Sequence, residues 1–248
     1  MTLGGAPTPT PTLVTRGLGR AYGRLVALKE LNLSVDAGEC VALIGVNGSG
    51  KSTTVRLIAG LLTPSHGEVR ICGHDPYREP EAERARAAMA VVPDAPLLYD
   101  DLTVRQHLEL VAMAHGVVDG GNGPSLDARI DALLERLELG GRGSYLPREL
   151  SRGMRQKTQL ACALIRPAAL LVLDEPVVGL DPPSQSRLRE LLVAAKAGGV
   201  AVVMTTHQLR FADGVADRGV VLQEGRVLDE GSWPELTERA VARGWELY

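Results

Sequence analysis

The period of apolar and polar positions changes several times along the chain, and each change marks an element. "TLVTRGL" (12–18) and "LKELNLSV" (28–35) alternate apolar with polar residues, the two-residue period of antiparallel strands with one buried face. Gly23 and Asp36-Ala37-Gly38 supply the turns. "CVALIG" (40–45) is apolar without alternation, as a parallel strand buried on both faces would be. A helix is expected from about Ser52 to Leu62, stopping before Pro64. "GEVRICG" (67–73) and "MAVVP" (89–93) read as two further short strands.

Between residues 101 and 145 the period lengthens. "LTVRQHLELVAMAHG" and "SLDARIDALLERLEL" carry apolar residues at three- and four-residue spacing, a helical stripe. Ser125 is placed to cap the second helix, and the glycine-rich piece 116–124 links the two. A third helix is expected from Arg152 to Ile165, stopped by Pro167. The buried-strand pattern then resumes in "ALLVLD" (169–174), "GVAVVMTT" (199–206), "RGVVLQ" (218–223) and "RVLDEG" (226–231), with helices near 183–197 and 208–215. Such alternation predicts an α/β fold with a mostly parallel sheet. The expected organisation is a tail over 1–11, a nucleotide-binding core over 12–95 and 169–248, and a helical insertion over 96–168. The core would begin with an antiparallel β subdomain. No internal repeat is visible.

Bulk properties narrow the function classes. The chain has 248 residues, is 45% hydrophobic and 23% charged, and carries a net charge of −3. No global basic field draws it to nucleic acid or to anionic lipid. Cys40, Cys72 and Cys162 are odd in number and suggest neither a disulfide framework nor a four-ligand zinc site, even with His66 and His74 near Cys72. The expectation is a reduced, cytosolic protein. The Pro/Thr-rich start lacks the charged-then-apolar build of a secretory leader and reads as disordered. No apolar run of about 18 residues occurs, so no membrane span is expected.

The strongest motif is "GVNGSGKST", which fits G-x-x-x-x-G-K-[ST] with Gly45, Gly50, Lys51 and Ser52 at the fixed positions. Glycines let the backbone N–H groups of this loop, with Asn47, Gly48, Ser49 and Thr53 in it, curl around phosphate oxygens. Lys51 then reaches the outer phosphates, Ser52 can ligate Mg²⁺, and the following helix turns its positive end to the same anion. A buried strand before the motif and a helix after it supply the context that a P-loop requires. "LLVLDEP" adds Asp174 and Glu175 at the C-terminal end of a buried strand, the edge at which open α/β sheets bind ligands. Asp174 would hold Mg²⁺, and Glu175 is the candidate to polarise an attacking water. The predicted class is therefore a P-loop NTPase core.

"PRELSRGMRQK" (147–157) poses a separate problem. It places Arg148, Arg152, Arg155 and Lys157 around the start of a helix, where each cation costs about a few tenths of a kcal/mol against the helix dipole. Ser151 with an open helix N-terminus is an anion site, and the cations either add to that potential, face solvent or pair with Glu149.

A P-loop, an L-S-x-G-x element about a hundred residues later and D-E close behind resemble the ATP-binding subunit of an ABC transporter. The resemblance covers nearly the whole chain after the tail, and "LSRGM" (150–154) is most similar to ABC-2-type export ATPases. It implies that Ser151 and the N–H of Gly153 contact the γ-phosphate of ATP held by another subunit. It makes "GLDP" (179–182) the D-loop, with Asp181 acting across a dimer interface. His207 in "TTH" becomes the γ-phosphate sensor and Tyr22 the aromatic that stacks on adenine, a turn before the first sheet element. Where the family has Gln in the loop joining core to helices, this chain has Asp94, a negative charge that would serve as a stronger Mg²⁺ ligand and would repel ATP in the metal's absence.

These readings imply an ATPase that dimerises, as a homodimer or heterodimer, around two ATP with Mg²⁺ and drives a separate transmembrane permease subunit, with export favoured over import. The protein would be cytoplasmic, peripheral on the inner face of the cell membrane through that partner. The alternative is a soluble ABC-type ATPase acting on ribosomes or in DNA repair. Against it stand a single P-loop, no long coiled coil and no basic stripe for nucleic acid.

Overall fold

The computed structural model describes residues 10–117 and 124–242. Most of the predicted tail and most of the glycine-rich link at 116–124 therefore lie outside the described residues. In chain order the elements begin with β1 (Leu13–Tyr22), β2 (Leu25–Val35), β3 (Cys40–Ile44), α1 (Lys51–Ile58), β4 (His66–Ile71), α2 (Glu81–Ala88) and β5 (Met89–Val92). Then follow α3 (Val104–Ala114), α4 (Leu126–Arg136), α5 (Arg152–Leu164), β6 (Leu170–Asp174), α6 (Pro182–Ala197) and β7 (Ala201–Thr206). The last are α7 (Leu209–Ala212), β8 (Arg218–Gln223), β9 (Arg226–Ser232) and α8 (Trp233–Ala242).

Two sheets result. The smaller has the order β2-β1-β4 and is antiparallel throughout. Along β2, Leu31, Leu33 and Val35 are buried while Asn32 and Ser34 are exposed, which is the alternation read from the sequence. The larger has the order β5-β6-β7-β3-β8-β9. Its first five strands are parallel, and β9 closes the edge antiparallel to β8. Residues of "RVLDEG" are exposed or half-buried in alternation, so this segment is an edge strand and not the buried strand expected.

The parallel strands bury both faces, and successive residues divide between two cores. Ala42, Ile44, Leu171, Leu173, Val202 and Met204 face one. That core continues through Leu108 of α3, Ile130 of α4, Leu160 of α5 and Leu188 of α6. Val41, Leu43, Leu170, Val172 and Val203 face the other, where Val55, Leu57 and Ile58 of α1 are packed with the small sheet. Helix α1 is thus held between the two sheets, with its N-terminus at the C-terminal edge of the larger.

Several boundaries differ from expectation. β1 runs to Tyr22, so Tyr22 is the last residue of the first strand and does not precede it. α1 ends at Ile58 and not near Leu62, because Gly60 takes φ 71° and Leu61 N–H returns to the Arg56 carbonyl, a glycine-terminated helix end. α2 and α8 have no counterpart in the sequence reading. In α2 only Ala82 and Ala85 are buried, so "EAERARAA" shows no apolar stripe. The 208–215 helix shrinks to α7. Ser125 Oγ does accept from Ala128 N–H at the start of α4, as expected. Among the described residues no helix is long and apolar enough to cross a membrane, and the three cysteines are free, with Cys40 and Cys162 buried. Burial pushes both of those thiols up to about 12.

Candidate functional site

Three adjacent strands end side by side. Ile44 of β3 pairs with Thr206 of β7, and Thr205 pairs with Asp174 of β6. The loop from Gly45 to Gly50 rises from the first of these ends and turns into α1. Its last glycine has φ 109°, and a Cβ there would stand 2.6 Å from the Ala27 carbonyl, so only glycine closes the loop against β2. Lys51 is buried and donates from Nζ to the carbonyls of Gly45 at 2.7 Å and Val46 at 3.3 Å. Its charge therefore sits inside the loop. Ser49 Oγ is buried and has no hydrogen-bond partner among the described residues, an orphan that natural proteins retain for a reason. Buried cation, unpaired hydroxyl and helix N-terminus together make a receptor for phosphate oxygens.

The acidic pair stands beside it. Ser52 Oγ lies 3.3 Å from Asp174 Oδ1. Thr205 Oγ1 donates to the same oxygen at 2.6 Å and accepts from Glu175 N–H at 2.9 Å. One buried hydroxyl thus orients both acids. Thr205 was missed by the sequence reading, although a threonine beside His207 at a strand end was the available signal. Glu175 has φ 47°, a strained setting for a non-glycine residue. Its carboxylate lies 2.8 Å from His207 Nδ1. The carboxylate accepts, so Nδ1 carries the proton. His207 N–H reaches the same oxygen at 3.3 Å.

These groups open into a cleft of about 870 Å³ lined by Tyr22, residues 47–53, Asp94 and Glu175, a volume within the range of small-ligand sites. Arg24, Lys29, Arg56 and Glu224 line it too. The sequence reading missed these four, since they come from a hairpin turn, a strand, the outer side of α1 and a second turn with no motif among them. With Lys51, the lining holds four cations against three acids, a balance suited to an anionic ligand.

Ser151, Gly153 and Asp181 are outside this cleft. Ser151 Oγ caps α5 by accepting from Met154 N–H at 3.2 Å. A Cβ on Gly153 would meet the Gly179 carbonyl at 2.6 Å, so the start of α5 lies directly on the 179–182 loop of its own chain. Gln156 Nε2 adds a hydrogen bond to the Pro176 carbonyl at 3.3 Å. Asp181 caps α6 by accepting from Ser184 N–H at 2.9 Å, and its hydrogen bonds with Ser184 hold its carboxyl below the usual range. Of the cations near α5, Arg155 donates to the Pro147 carbonyl and Lys157 pairs with Glu138 at 2.9 Å. Glu149 accepts from Leu146 N–H and holds neither.

Comparison with known proteins agrees with this geometry. Residues 28–178 match the ABC transporter family model. The chain is 36% identical over 227 residues to the ABC-type transporter ATP-binding protein EcsA of Bacillus subtilis, covering 92% of this chain and 90% of that protein. It is 38% identical to the daunorubicin resistance ATP-binding protein DrrA3 of Streptomyces coeruleorubidus, covering 89% and 68%. Among solved structures, an ATP-binding subunit of an ABC transporter superposes with TM-score 0.85 at 36% identity, covering 96% and 98%. The dimeric bacterial cassette MJ0796 gives 0.80 at 26% identity, covering 89% and 98%. The chain therefore belongs to the ABC transporter family as an ATP-binding, ATP-hydrolysing subunit.

Proposed function

We propose that this subunit hydrolyses ATP in two sites shared between two copies, or between this chain and a close relative, and that closure on ATP drives export through a separate membrane subunit. The observation that carries this reading is a division within one chain. Tyr22, residues 47–53, Asp94 and Glu175 line one cleft, with Asp174 bonded to Ser52 and His207 to Glu175 just behind that lining, while Ser151, Gly153 and Asp181 present their helix ends elsewhere. A serine-capped helix N-terminus is an anion site, and none of the ligand-facing cleft is formed by it. The dimeric form of the related cassette and the exporters among the relatives, such as the Nod factor export protein of Cupriavidus pinatubonensis at 35% identity, support the same reading.

In this reading Lys51 and the amides of residues 47–53 neutralise the phosphates, and the ring of Tyr22 carries the base. Glu175 polarises the attacking water, and His207 fixes the carboxylate while reaching toward the γ-phosphate. The donor set beside the cradle is all oxygen, from the hydroxyl of Ser52 and the carboxylates of Asp174 and Asp94, which suits a hard cation such as Mg²⁺. The metal, held there, would draw charge from the phosphoryl oxygens as they develop it. Asp181 would meet the partner copy's site, and the 96–168 segment would pass closure to the membrane subunit. Support for that path comes from the loop after Asp94. Its Leu97 N–H is held by Gln159 of α5 at 2.9 Å and its Tyr99 N–H by His107 of α3 at 2.8 Å, while the Leu97, Tyr99 and Met113 side chains stay exposed.

Shared sites make a direct test possible. Lys51→Ala and Ser151→Ala chains, each inactive alone, are mixed in equal amounts and phosphate release is measured. Random pairing leaves one intact site in half of the dimers, so about a quarter of the unmodified activity is expected. No recovery from chains shown to pair by mass spectrometry would contradict the arrangement.

A further inference from the structure

The base platform has a second residue that the family reading does not assign. Tyr22 ends β1, is 45% exposed and lines the nucleotide cleft. A tyrosine so exposed has a free χ1 unless something holds it, and fixing it would otherwise fall to the nucleotide on binding. Arg20 supplies the restraint. Its guanidinium carbon lies 4.6 Å from the Tyr22 ring centroid, within the distance of a cation–π contact. Arg20 covers one face of the ring and is not among the residues that line the cleft, which leaves the other face for a ligand.

The guanidinium is itself anchored. Nη1 donates to the Thr63 carbonyl at 2.8 Å. Its Nε is buried with no partner among the described residues, so the group is held by the ring and one carbonyl at the expense of an unmade bond. The strand end is tied to the same segment twice more, by Ser65 N–H to the Gly19 carbonyl at 2.8 Å and Ala21 N–H to Ser65 Oγ at 3.0 Å. Thr63 and Ser65 belong to the segment that leaves the C-terminus of α1, the helix whose first residue is Lys51. The platform for the base is therefore tied to the segment that follows α1, the helix whose N-terminus carries the cradle for the phosphates.

We propose that Arg20 is the positioning residue of the base platform. It holds the Tyr22 ring with its free face available to the base, and it ties that ring through Thr63 to the segment that follows α1. A cation behind the ring also draws π density from it, leaving the free face better matched to an electron-rich purine. This inference rests on the reading of Tyr22 as the stacking residue.

The test compares affinities for MgATP and for magnesium tripolyphosphate, which has the phosphates without the base. The chains are the unmodified protein, Tyr22→Ala, Arg20→Met, Arg20→Lys and the Tyr22→Ala/Arg20→Met double variant. Arg20→Met, which keeps the aliphatic stem, is expected to weaken MgATP about 3- to 5-fold, the range of a partly exposed cation–π contact. Tripolyphosphate affinity and kcat should stay unchanged, and the same substitution should have no further effect once Tyr22 is gone. Arg20→Lys, which keeps the charge and loses the planar fork to Thr63, should fall between, and it carries the test if Arg20→Met does not fold. If Tyr22→Ala weakens MgATP and both Arg20 variants do not, the positioning role falls while the stacking reading stands. If Tyr22→Ala itself has no effect, the stacking reading falls first. Equal losses for MgATP and tripolyphosphate would make Arg20 a structural residue only and would also overturn the proposal.

Discussion

Asp94 lines the nucleotide cleft with Glu175 and the P-loop, a carboxylate where the resemblance read from the sequence implies a neutral amide. A second negative charge near a polyphosphate is unfavourable until a divalent cation lies between them. Replacing Asp94 by Gln should therefore reduce the ratio of ATP affinity with Mg²⁺ to that with EDTA by about tenfold, the scale of one charge pair at short range in a partly exposed site. An unchanged ratio in equilibrium binding would remove Asp94 from the site. Thr205 carries a prediction of a different kind. Its hydroxyl is buried between Asp174 and the Glu175 amide, so Thr205→Val leaves the Glu175 amide unmet and Asp174 Oδ1 with the longer Ser52 contact alone, with little change of shape. It should lose about 1–3 kcal/mol in urea unfolding and lower kcat more than it raises KM. Lys51 and Ser52 were legible from the fixed spacing of the phosphate loop, and Asp174 and Glu175 from their place at the end of a buried apolar run. Thr205, Arg24 and Glu224 were not, because their place depends on which strand ends lie together.

Among the elements, the contact between α5 and the 179–182 loop has the least room. A methyl on Gly153 would stand 2.6 Å from the Gly179 carbonyl, which is backbone and cannot rotate aside. Gly153→Ala is expected to destabilise the fold by about 1–3 kcal/mol and to abolish the shared site by pushing Ser151 and Asp181 apart. Unchanged thermal unfolding and unchanged hydrolysis in this variant would contradict the tight contact. The strands of the large sheet were readable from their apolar runs, as were α3 and α4 from their stripes and the Ser125 cap. α2 was not readable because two alanines are all it buries. The end of α1 was misjudged because Gly60, and not Pro64, turns the chain. β9 was mistaken for a buried strand because Val227 and Leu228 read as the start of an apolar run, although the strand lies at the sheet edge, where Leu228 is exposed.

Taken whole, the molecule has a sheet edge that binds phosphate and a capped helix that does not reach it. Of its two cores, the one that holds Leu108 of α3, Ile130 of α4 and Leu160 of α5 joins the helical segment to β3 and β6, the strands that lead into the P-loop and end at Asp174. Completion of the site from a second chain is the claim on which the rest depends, and the dependence of ATP turnover on protein concentration tests it most directly. Purified subunit is assayed at saturating MgATP over a wide dilution series, with its mass followed by sedimentation. The account predicts that turnover per chain falls in proportion to concentration once dimers dissociate. A constant turnover per chain in a sample sedimenting wholly as monomer would contradict it.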